Sequence, residues 1–472
     1  MGFLRPSAAA AVLLFASTAH AQKDLGLNVH QSTTVGMDVA KGTGVKWVRI
    51  DVNWLDVEKA EGQLDFTLMD AIVDAAAARG SKVLAVLAYT PAWASTGDVK
   101  KDGSTNDVPK AGKYEAFVSA AVKHFGAKVS HYELWNEPNL ETFWEGTADD
   151  YVQRVLVPGS MAVHTACGSC KVVAPGLATV GGTYDVFFDT VLTAAKDDID
   201  VVSGHAYASF ADIDPEAGTA KDSFLNKVEA HRILKVGGSV IYEGPLAFKE
   251  TMDKHGITKP FWITEAGYEA APGDAKAEAK QVLQYRHVIE SMLLRSWWTT
   301  TIFYEAFDEP PAPYTWGVVV HDGSGAMGFS KKPVYDFLAG VTSSQPALGG
   351  TKTDCSDGLD NDLDGMIDYP ADPGCASASA AAEGPVAAGA GGVGGGGSSG
   401  AGAGGTGGAP GGNAGAVGAG ASGAGGAADD SSSSSGRGGG GCAVGAWQSR
   451  GGGVAMSLVL LAACRRRRGT RA

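Results

Sequence analysis

The chain has no block of lysine or arginine in its first 440 positions, and its 38 basic residues are outnumbered by 52 acidic ones, giving a formal charge of −14. Phosphate backbones are bound through clustered cations, so nucleic acid is excluded as the main partner and a neutral or weakly charged substrate fits better. Cysteine is scarce, six in 472 residues. The Cys167–Cys170 pair has no second CxxC and no ligand-spaced histidine pair beside it, which argues against a zinc site. No glycine-rich phosphate loop follows the first predicted strand, so a doubly wound nucleotide-binding sheet lacks its usual mark. With 44% hydrophobic and 19% charged residues the composition is globular, excluding wholesale disorder and collagen.

Aromatic residues are missing altogether from Ala376 to Gly441. Glycine fills 27 of the 58 positions from Gly384 to Gly441, leaving 40 of the 67 for the other 414 residues. Residues 376–441 therefore read as a disordered Gly/Ala/Ser linker, since they have almost nothing to bury. Ahead of them, residues 22–343 have ordinary core composition and enough length for one large barrel domain.

The ends carry processing signals. Arg5, the apolar run Ala8–Ala16 and the small-x-small pattern of Ala19 and Ala21 read as an export signal over residues 1–21, the apolar run being too short to span a bilayer, with a mature start near Gln22. Residues 442–472 begin at Cys442 after Gly441 and continue through the apolar run Val454–Ala463 to Arg465–Arg468. This segment resembles the C-terminal surface-sorting signal of myxobacterial exported proteins, and the resemblance implies processing or lipid attachment at Cys442. A plain transmembrane anchor or a disordered basic end is the alternative; each still places the protein at an envelope, and it is expected to be secreted and held at the cell surface. In such a compartment Cys355 with Cys375 reads as a disulfide closing a small module, and Cys167 with Cys170 as a tight local disulfide or two spare thiols.

That module, residues 344–375, holds acidic residues at alternate positions around a glycine. Asp360, Asp362 and Asp364 stand at positions one, three and five of a calcium loop, Gly365 makes the turn and Asp368 takes position nine, but Ala371 stands where the bidentate glutamate belongs. A complete EF-hand is excluded. The segment resembles the acidic repeats of thrombospondin type 3 and of myxobacterial surface proteins, which implies a structural calcium within residues 355–375; a solvated acidic turn is the alternative.

Between Asp24 and Ser343, short β-branched or aromatic runs alternate with longer alanine-rich stretches of helical period, the pattern of a parallel α/β fold. Strands are predicted at 25–29, 45–52, 82–88, 129–135, 171–174, 200–205, 261–264 and 300–304, with helices between them at windows such as Lys113–Phe125, Asp222–Leu234 and Ala275–Arg295. Eight such pairs suit a closed (β/α)8 TIM barrel, which leaves no exposed sheet edge.

Two of these strands end in a carboxylate. His131-Tyr132-Glu133-Leu134-Trp135-Asn136-Glu137-Pro138-Asn139 is a strand stopped by a proline, and Phe261-Trp262-Ile263-Thr264-Glu265-Ala266-Gly267-Tyr268 is an apolar strand with Glu265 at its far end. Barrel chemistry sits at the C-terminal ends of strands, and strands four and seven face each other across the mouth. These motifs resemble the glycoside hydrolase clan A barrels. With Trp47-Val48-Arg49-Ile50-Asp51, Leu87-Ala88-Tyr89-Thr90-Pro91-Ala92-Trp93-Ala94 and His205-Ala206-Tyr207, the chain is most similar to family 39 and its relatives in family 5. The resemblance implies a retaining β-glycosidase with Glu137 as acid/base and Glu265 as nucleophile, acting on a β-linked poly- or oligosaccharide. It implies further that Asn136 binds the sugar 2-hydroxyl, that Arg49 supports the nucleophile, and that His205 and Tyr207 line the cleft.

Retention needs one carboxyl held protonated and one held ionised about 5 to 5.5 Å away, and no cofactor for the chemistry itself. Trp93, Trp144, Tyr268, Tyr304 and Trp316 are candidate platforms for a pyranose face, with Trp93 and Tyr268 favoured because their loops follow rim strands. Tyr304 or Glu305 stands where clan members often place a tryptophan. The competing reading is a carbohydrate-binding or adhesive surface protein that kept the barrel and lost turnover. Glu133, on the same strand as Glu137, reads as an interior structural carboxylate.

Overall fold

The computed structural model describes residues 22–384, apart from 31–33, 98–105, 181–183, 209–212, 215–218, 221–222, 309–313, 321–327 and 363–364. The expected export signal, most of the linker, the sorting segment and Asp364 lie outside the described residues.

The β-branched runs become eight parallel strands: β1 (Asp24–Asn28), β2 (Trp47–Asn53), β3 (Lys82–Ala88), β4 (His131–Leu134), β5 (Lys171–Val173), β6 (Val202–His205), β7 (Phe261–Ala266) and β8 (Trp298–Phe303). Their order around the sheet is β5-β4-β3-β2-β1-β8-β7-β6, and a parallel bridge between Val173 and Val201 joins the two ends. The sheet is thus an almost closed ring. Each strand is followed by a helix: α1 (Thr34–Thr43), α2 (Thr67–Ala78), α3 (Lys113–Phe125), α4 (Val157–Ala166), α5 (Tyr184–Ala195), α6 (Phe248–Lys254), α7 (Ala275–Leu293) and α8 (Pro333–Ser344). This is the expected (β/α)8 barrel.

The helices form where apolar residues recur every three or four positions. In α3 the buried set is Tyr114, Phe117, Val118, Ala121, Val122 and Phe125, one stripe facing the strands, and the helix stops at Gly126, whose φ of 53° an L side chain resists. Helix α7 starts where Asp274 accepts from the amides of Lys276 and Ala277. Outward-facing strand residues and these stripes make the main core. Inward-facing residues make a second, separate cluster of Trp47, Leu84, Val173, Val201, Trp262 and Ile302, which fills the N-terminal half of the barrel interior. Polar chemistry is left the other half.

One predicted element fails. The window Asp222–Leu234 contains a single helical turn, Leu225–Val228, and then a β-hairpin of Ile233–Val236 with Ser239–Glu243. Gly237 and Gly238 supply the positive φ a tight turn requires, and Ile233, Val236, Val240 and Ile241 are β-branched, so local preference is for strand.

After α8 the acidic module packs on the barrel. Cys355 and Cys375 form a disulfide, as do Cys167 and Cys170. Arg286 of α7 donates to the Gly358 carbonyl at 2.8 Å, Glu290 of α7 accepts from the Asp360 amide at 3.0 Å, and Gln345 donates to Asp357 at 2.9 Å. The described chain runs beyond Ala376 to Gly384, where Glu383 folds back to accept from the amides of Asn361 and Asp368.

Candidate functional site

Strict alternation along β7 turns Trp262 and Thr264 into the barrel and would turn Glu265 out. The register shifts between Ile263 and the residues after it on both sides of the strand, so Thr264 and Glu265 both reach the interior. A comparable break follows β4. Trp135 and Glu137 have φ of 87° and 43°, left-handed values that non-glycine residues take only when their surroundings impose them. Trp135 is driven into the core beside Tyr89 and Trp144, and Asn136 and Glu137 are turned over the barrel mouth. The Glu137 amide donates to the Gly176 carbonyl at 3.0 Å, and the Asn139 side chain exchanges two hydrogen bonds with Ala178, fixing the loop after β4 to the loop after β5.

Arg49 is the hub. Its Nε donates to Glu133 at 2.7 Å, Nη1 to Asn28 Oδ1 at 2.9 Å and to Glu265 Oε1 at 2.8 Å, and Nη2 to Asn136 Oδ1 at 2.8 Å. A planar guanidinium can satisfy four acceptors in fixed directions, which a lysine could not. Only 1% of Arg49 is exposed. Glu133 spends its other oxygen on the Gly176 amide at 2.8 Å and the Thr264 hydroxyl at 3.1 Å, so it is fully committed inside the barrel. Glu265 accepts from Arg49 on one oxygen and from the Tyr207 hydroxyl, at 2.8 Å, on the other. That is the donor pattern of a carboxylate anion.

His205 lies between the two glutamates. Its Nδ1 is 2.8 Å from Glu137 Oε1 and 3.4 Å from Glu265 Oε2. Its Nε2 has no partner and faces Gly176, where an added Cβ would stand 2.0 Å from it. A buried N–H without an acceptor is costlier than a bare lone pair, so the network assigns the proton to Nδ1. Burial holds the imidazole neutral by lowering its pKa to about 4, against the opposing pull of Glu265. Burial also pushes the Glu137 carboxyl up to about 8; Arg49 opposes the rise and Glu133 adds to it. Glu137 is thus a protonated acid at neutral pH, set beside an anion in the hands of Arg49 and Tyr207.

Around this centre lie groups to which the sequence motifs assigned no role. Tyr89, half-buried after β3, hydrogen-bonds Asn136. His30, after β1, is 2.6 Å from Asp51 of β2. Burial alone would lower the His30 pKa, but the charge and hydrogen bond of Asp51, with Glu305 and Glu265 beyond, raise it to about 10. Solvent reaches 23% of that side chain, so part of this attraction is screened. Arg49 and Asp51 sit two apart on β2, and His30 stands two past Asn28, the last residue of β1. That spacing was the available signal, because it puts both on the inner face. Nothing in the sequence marks Gly176.

The expected cleft aromatics divide. Tyr304 stands half-buried at the mouth, its ring 5.1 Å from His30 and 6.2 Å from Trp316, and Trp316 meets Tyr207 edge-on at 5.3 Å. Trp93 is anchored elsewhere, with its Nε1 on the Glu58 carbonyl at 2.8 Å and its ring against Trp54. Tyr268 is a correction: it is 4% exposed within the main core and offers no face to a sugar. His205, expected to line the cleft, is fully buried between the two carboxylates.

Among the described residues three donor sets come close enough to hold a cation, and one of them, Asp372, Cys375 and Glu383, has its sulfur already spent in the disulfide to Cys355. Oxygens of Glu137 and Glu265 and a His205 nitrogen come within 4.8 Å of one another, but the Arg49 guanidinium already occupies that neighbourhood with positive charge. Oxygens of Asp360, Asp362 and Glu383 also come within 4.8 Å. This all-oxygen set suits a hard cation, with Glu383 standing in the place of the loop glutamate the sequence lacks. Asp368 reaches the same loop, accepting from the Gly358 amide at 2.9 Å.

No protein-family model matches the chain. Among curated proteins it is similar to a beta-xylosidase of Geobacillus stearothermophilus, 26% identical over 159 residues, 31% of each chain. The chain thus matches about a third of the length of that relative. Similar solved structures include a family 39 glycoside hydrolase of Bacteroides cellulosilyticus WH2, 20% identical over 68% of this chain and 63% of that one with a TM-score of 0.49. A monomeric beta-xylosidase of Caulobacter crescentus CB15 is 19% identical over 69% and 70%, with a TM-score of 0.48.

Proposed function

We propose that the barrel hydrolyses β-O-glycosidic bonds of a poly- or oligosaccharide by a retaining double displacement, with Glu137 as acid/base and Glu265 as nucleophile. One observation carries the reading: two carboxyls at the ends of β4 and β7 have oxygens within 4.8 Å of each other, one held protonated by burial and the other engaged by a guanidinium and a phenol. Oxygens this close are compatible with the about 5 to 5.5 Å between carboxyl groups of retaining enzymes, against the roughly 6.5 to 9.5 Å that leaves room for an inverting water.

In the first step a Glu265 oxygen attacks the anomeric carbon while Glu137 gives its proton to the departing glycosidic oxygen. The C–O bond to the leaving group breaks as the glycosyl–Glu265 ester forms. Losing the anion at Glu265 removes its repulsion on Glu137, now ionised, which then takes a proton from water as the water attacks the anomeric carbon and releases Glu265. Arg49 and Tyr207 orient the nucleophile. The neutral His205 N–H donates to Glu137 when it is ionised, and with a pKa near 4 the ring takes up no proton in either step.

The named activity of the Geobacillus relative makes β-xylosides the first substrates to try. Residues 1–21 and 442–472 support export and retention at the cell surface, and the Asp360, Asp362 and Glu383 oxygens support a calcium that stiffens the module without entering the chemistry. The test is product release from aryl β-glycosides and β-linked polysaccharides by the wild type beside Glu137→Ala and Glu265→Ala. Cleavage by the wild type alone is expected. Binding of a glycan with no turnover by any of the three would favour the adhesive reading.

A further inference from the structure

Two polar side chains of the outer layer are buried as completely as core residues, yet neither belongs to the network around Glu137 and Glu265. Gln281 of α7 is 0% exposed, and Lys332, the residue before α8, is 2% exposed. Burying such groups is costly unless they are hydrogen-bonded, so their partners locate their role. Those partners are carbonyls and one carboxylate of the loops after β7 and β8. Lys332 Nζ donates to the Ala270 carbonyl at 2.8 Å, to Asp308 Oδ1 at 2.7 Å and to the Thr315 carbonyl at 3.1 Å. Gln281 Nε2 is shared among the carbonyls of Tyr268 at 3.0 Å and of Trp316 and Gly317, both at 3.2 Å.

Together they fix a three-residue piece of the β8 loop. The Ala270 amide also donates to the Thr315 carbonyl at 2.9 Å, the Glu305 amide to the Trp316 carbonyl at 3.2 Å, and the Gly317 amide to Asp308 Oδ1 at 2.8 Å. Gly317 passes so close that an added Cβ would stand 2.1 Å from the Asp308 amide nitrogen. Trp316 projects from the middle of this anchored backbone. Its half-buried ring meets the Tyr207 ring edge-on at 5.3 Å and lies beside Gly267, where an added Cβ would come 3.2 Å from it. Tyr207 stands two residues past the end of β6. Its carbonyl accepts from Lys227 Nζ at 2.6 Å, and its hydroxyl donates to Glu265 at 2.8 Å.

We infer that Gln281 and Lys332 are positioning residues for the nucleophile: they set residues 315–317 so that the Trp316 ring holds the Tyr207 phenol on Glu265. The inference rests on the reading of Glu265 as nucleophile and adds two buried residues that act through another's ring. A phenol turns about its side-chain bonds, and its hydrogen bond weakens steeply once the angle falls below about 120°. An edge-on aromatic neighbour restrains that turning, because rings prefer this arrangement to face-to-face contact. The attacking oxygen needs the alignment, since a misplacement of about 1 Å can cost on the order of 10²-fold in rate. A purely structural role would account for satisfied polar groups, but not for two of them converging from separate elements on the backbone that carries Trp316.

The test pairs steady-state kinetics on an aryl β-glycoside that the wild type cleaves with fluorine NMR of the full chain carrying fluorotyrosine at position 207 alone. Gln281→Met roughly keeps the volume and removes the donors. A second variant, Asp308→Asn/Lys332→Met, removes the cation without stranding its anion. Lys331→Ala, on the exposed neighbour, is the control. The first two should each lower kcat by about fivefold to 10²-fold with KM changed less than about twofold. In a Trp316→Ala background either should cost under about a further twofold, because the ring they act through is gone. The fluorine resonance should shift or broaden in Gln281→Met, in Asp308→Asn/Lys332→Met and in Trp316→Ala, and stay in place in Lys331→Ala. This second arm needs no turnover, so a wild type that cleaves no glycoside would sink the proposed hydrolysis while the resonance still decides the positioning. An unmoved resonance in the two buried variants, losses that multiply with that of Trp316→Ala, or a rise in KM at unchanged kcat would overturn the inference.

Discussion

Replacing Glu137 by glutamine should change how stability depends on pH as well as turnover, and the size of the change follows from the site. The carboxyl titrates near 4.5 when free and near 8 when buried here, so the folded protein holds the proton more tightly than the unfolded chain. Its contribution is therefore complete below about pH 4.5 and is lost as pH rises toward 8. Each unit of that window is worth about 1.4 kcal/mol, so the ceiling is roughly 5 kcal/mol. The amide of Glu137→Gln cannot titrate. Other carboxyls held high, Glu290 near 8 and Asp357 and Glu383 near 7, are common to both proteins and cancel in the difference. Urea unfolding at pH 5 and pH 8 should show the variant gaining at least about 2 kcal/mol on the wild type between the two. In parallel, wild-type turnover should fall as pH rises through about 8, and the variant should lose about 10²- to 10⁴-fold with poor leaving groups but far less with activated aryl glycosides. Stability curves that run parallel with pH would refute the protonated-acid assignment.

Other outcomes follow from the same contacts. Gly176→Ala puts a methyl 2.0 Å from His205 Nε2 and 2.7 Å from the Thr264 hydroxyl; a cost of about 1 to 3 kcal/mol and a large loss of turnover are expected, read by denaturation and by kinetics. Arg49→Met leaves Glu133 and Glu265 buried without their cation, a change that should cost about 3 to 5 kcal/mol at pH 7 in urea unfolding; a loss under about 1 kcal/mol would contradict the hub role. Millimolar calcium should raise the thermal midpoint by about 3 °C in the wild type and leave Glu383→Gln unmoved, as followed by calorimetry.

The barrel was legible because its period-two and period-3.6 patterns agree with one another along the whole chain, and strands β1 to β8 lie within about two residues of where those patterns put them. The pair Glu137 and Glu265 was legible through local motifs, although simple alternation points Glu265 the wrong way. The bulge on β7 and the left-handed Trp135 and Glu137 that correct the aim depend on tertiary contacts a strand pattern does not encode. Gly176 and Thr264 were invisible for the same reason: their importance is closeness to His205 and Glu133, across long separations in sequence. Tyr268 misled because an aromatic after a rim strand can turn inward as readily as outward. Glu383 lies eight residues past the cysteine taken as the end of its module, too far from the loop for motif spacing to include.

The central claim, that Glu265 becomes covalently glycosylated while Glu137 serves as its acid and base, is most directly tested by intact-protein mass spectrometry after incubation with aryl 2-deoxy-2-fluoro-β-glycosides, starting with the xyloside. Fluorine at C2 slows the second step more than the good leaving group slows the first, so the intermediate should accumulate. The account predicts one added fluoroglycosyl mass, located to the peptide containing Glu265, absent in Glu265→Ala and formed more slowly in Glu137→Ala. Turnover of the parent glycoside with inversion at the anomeric carbon and no adduct, or an adduct carried on a residue other than Glu265, would contradict it.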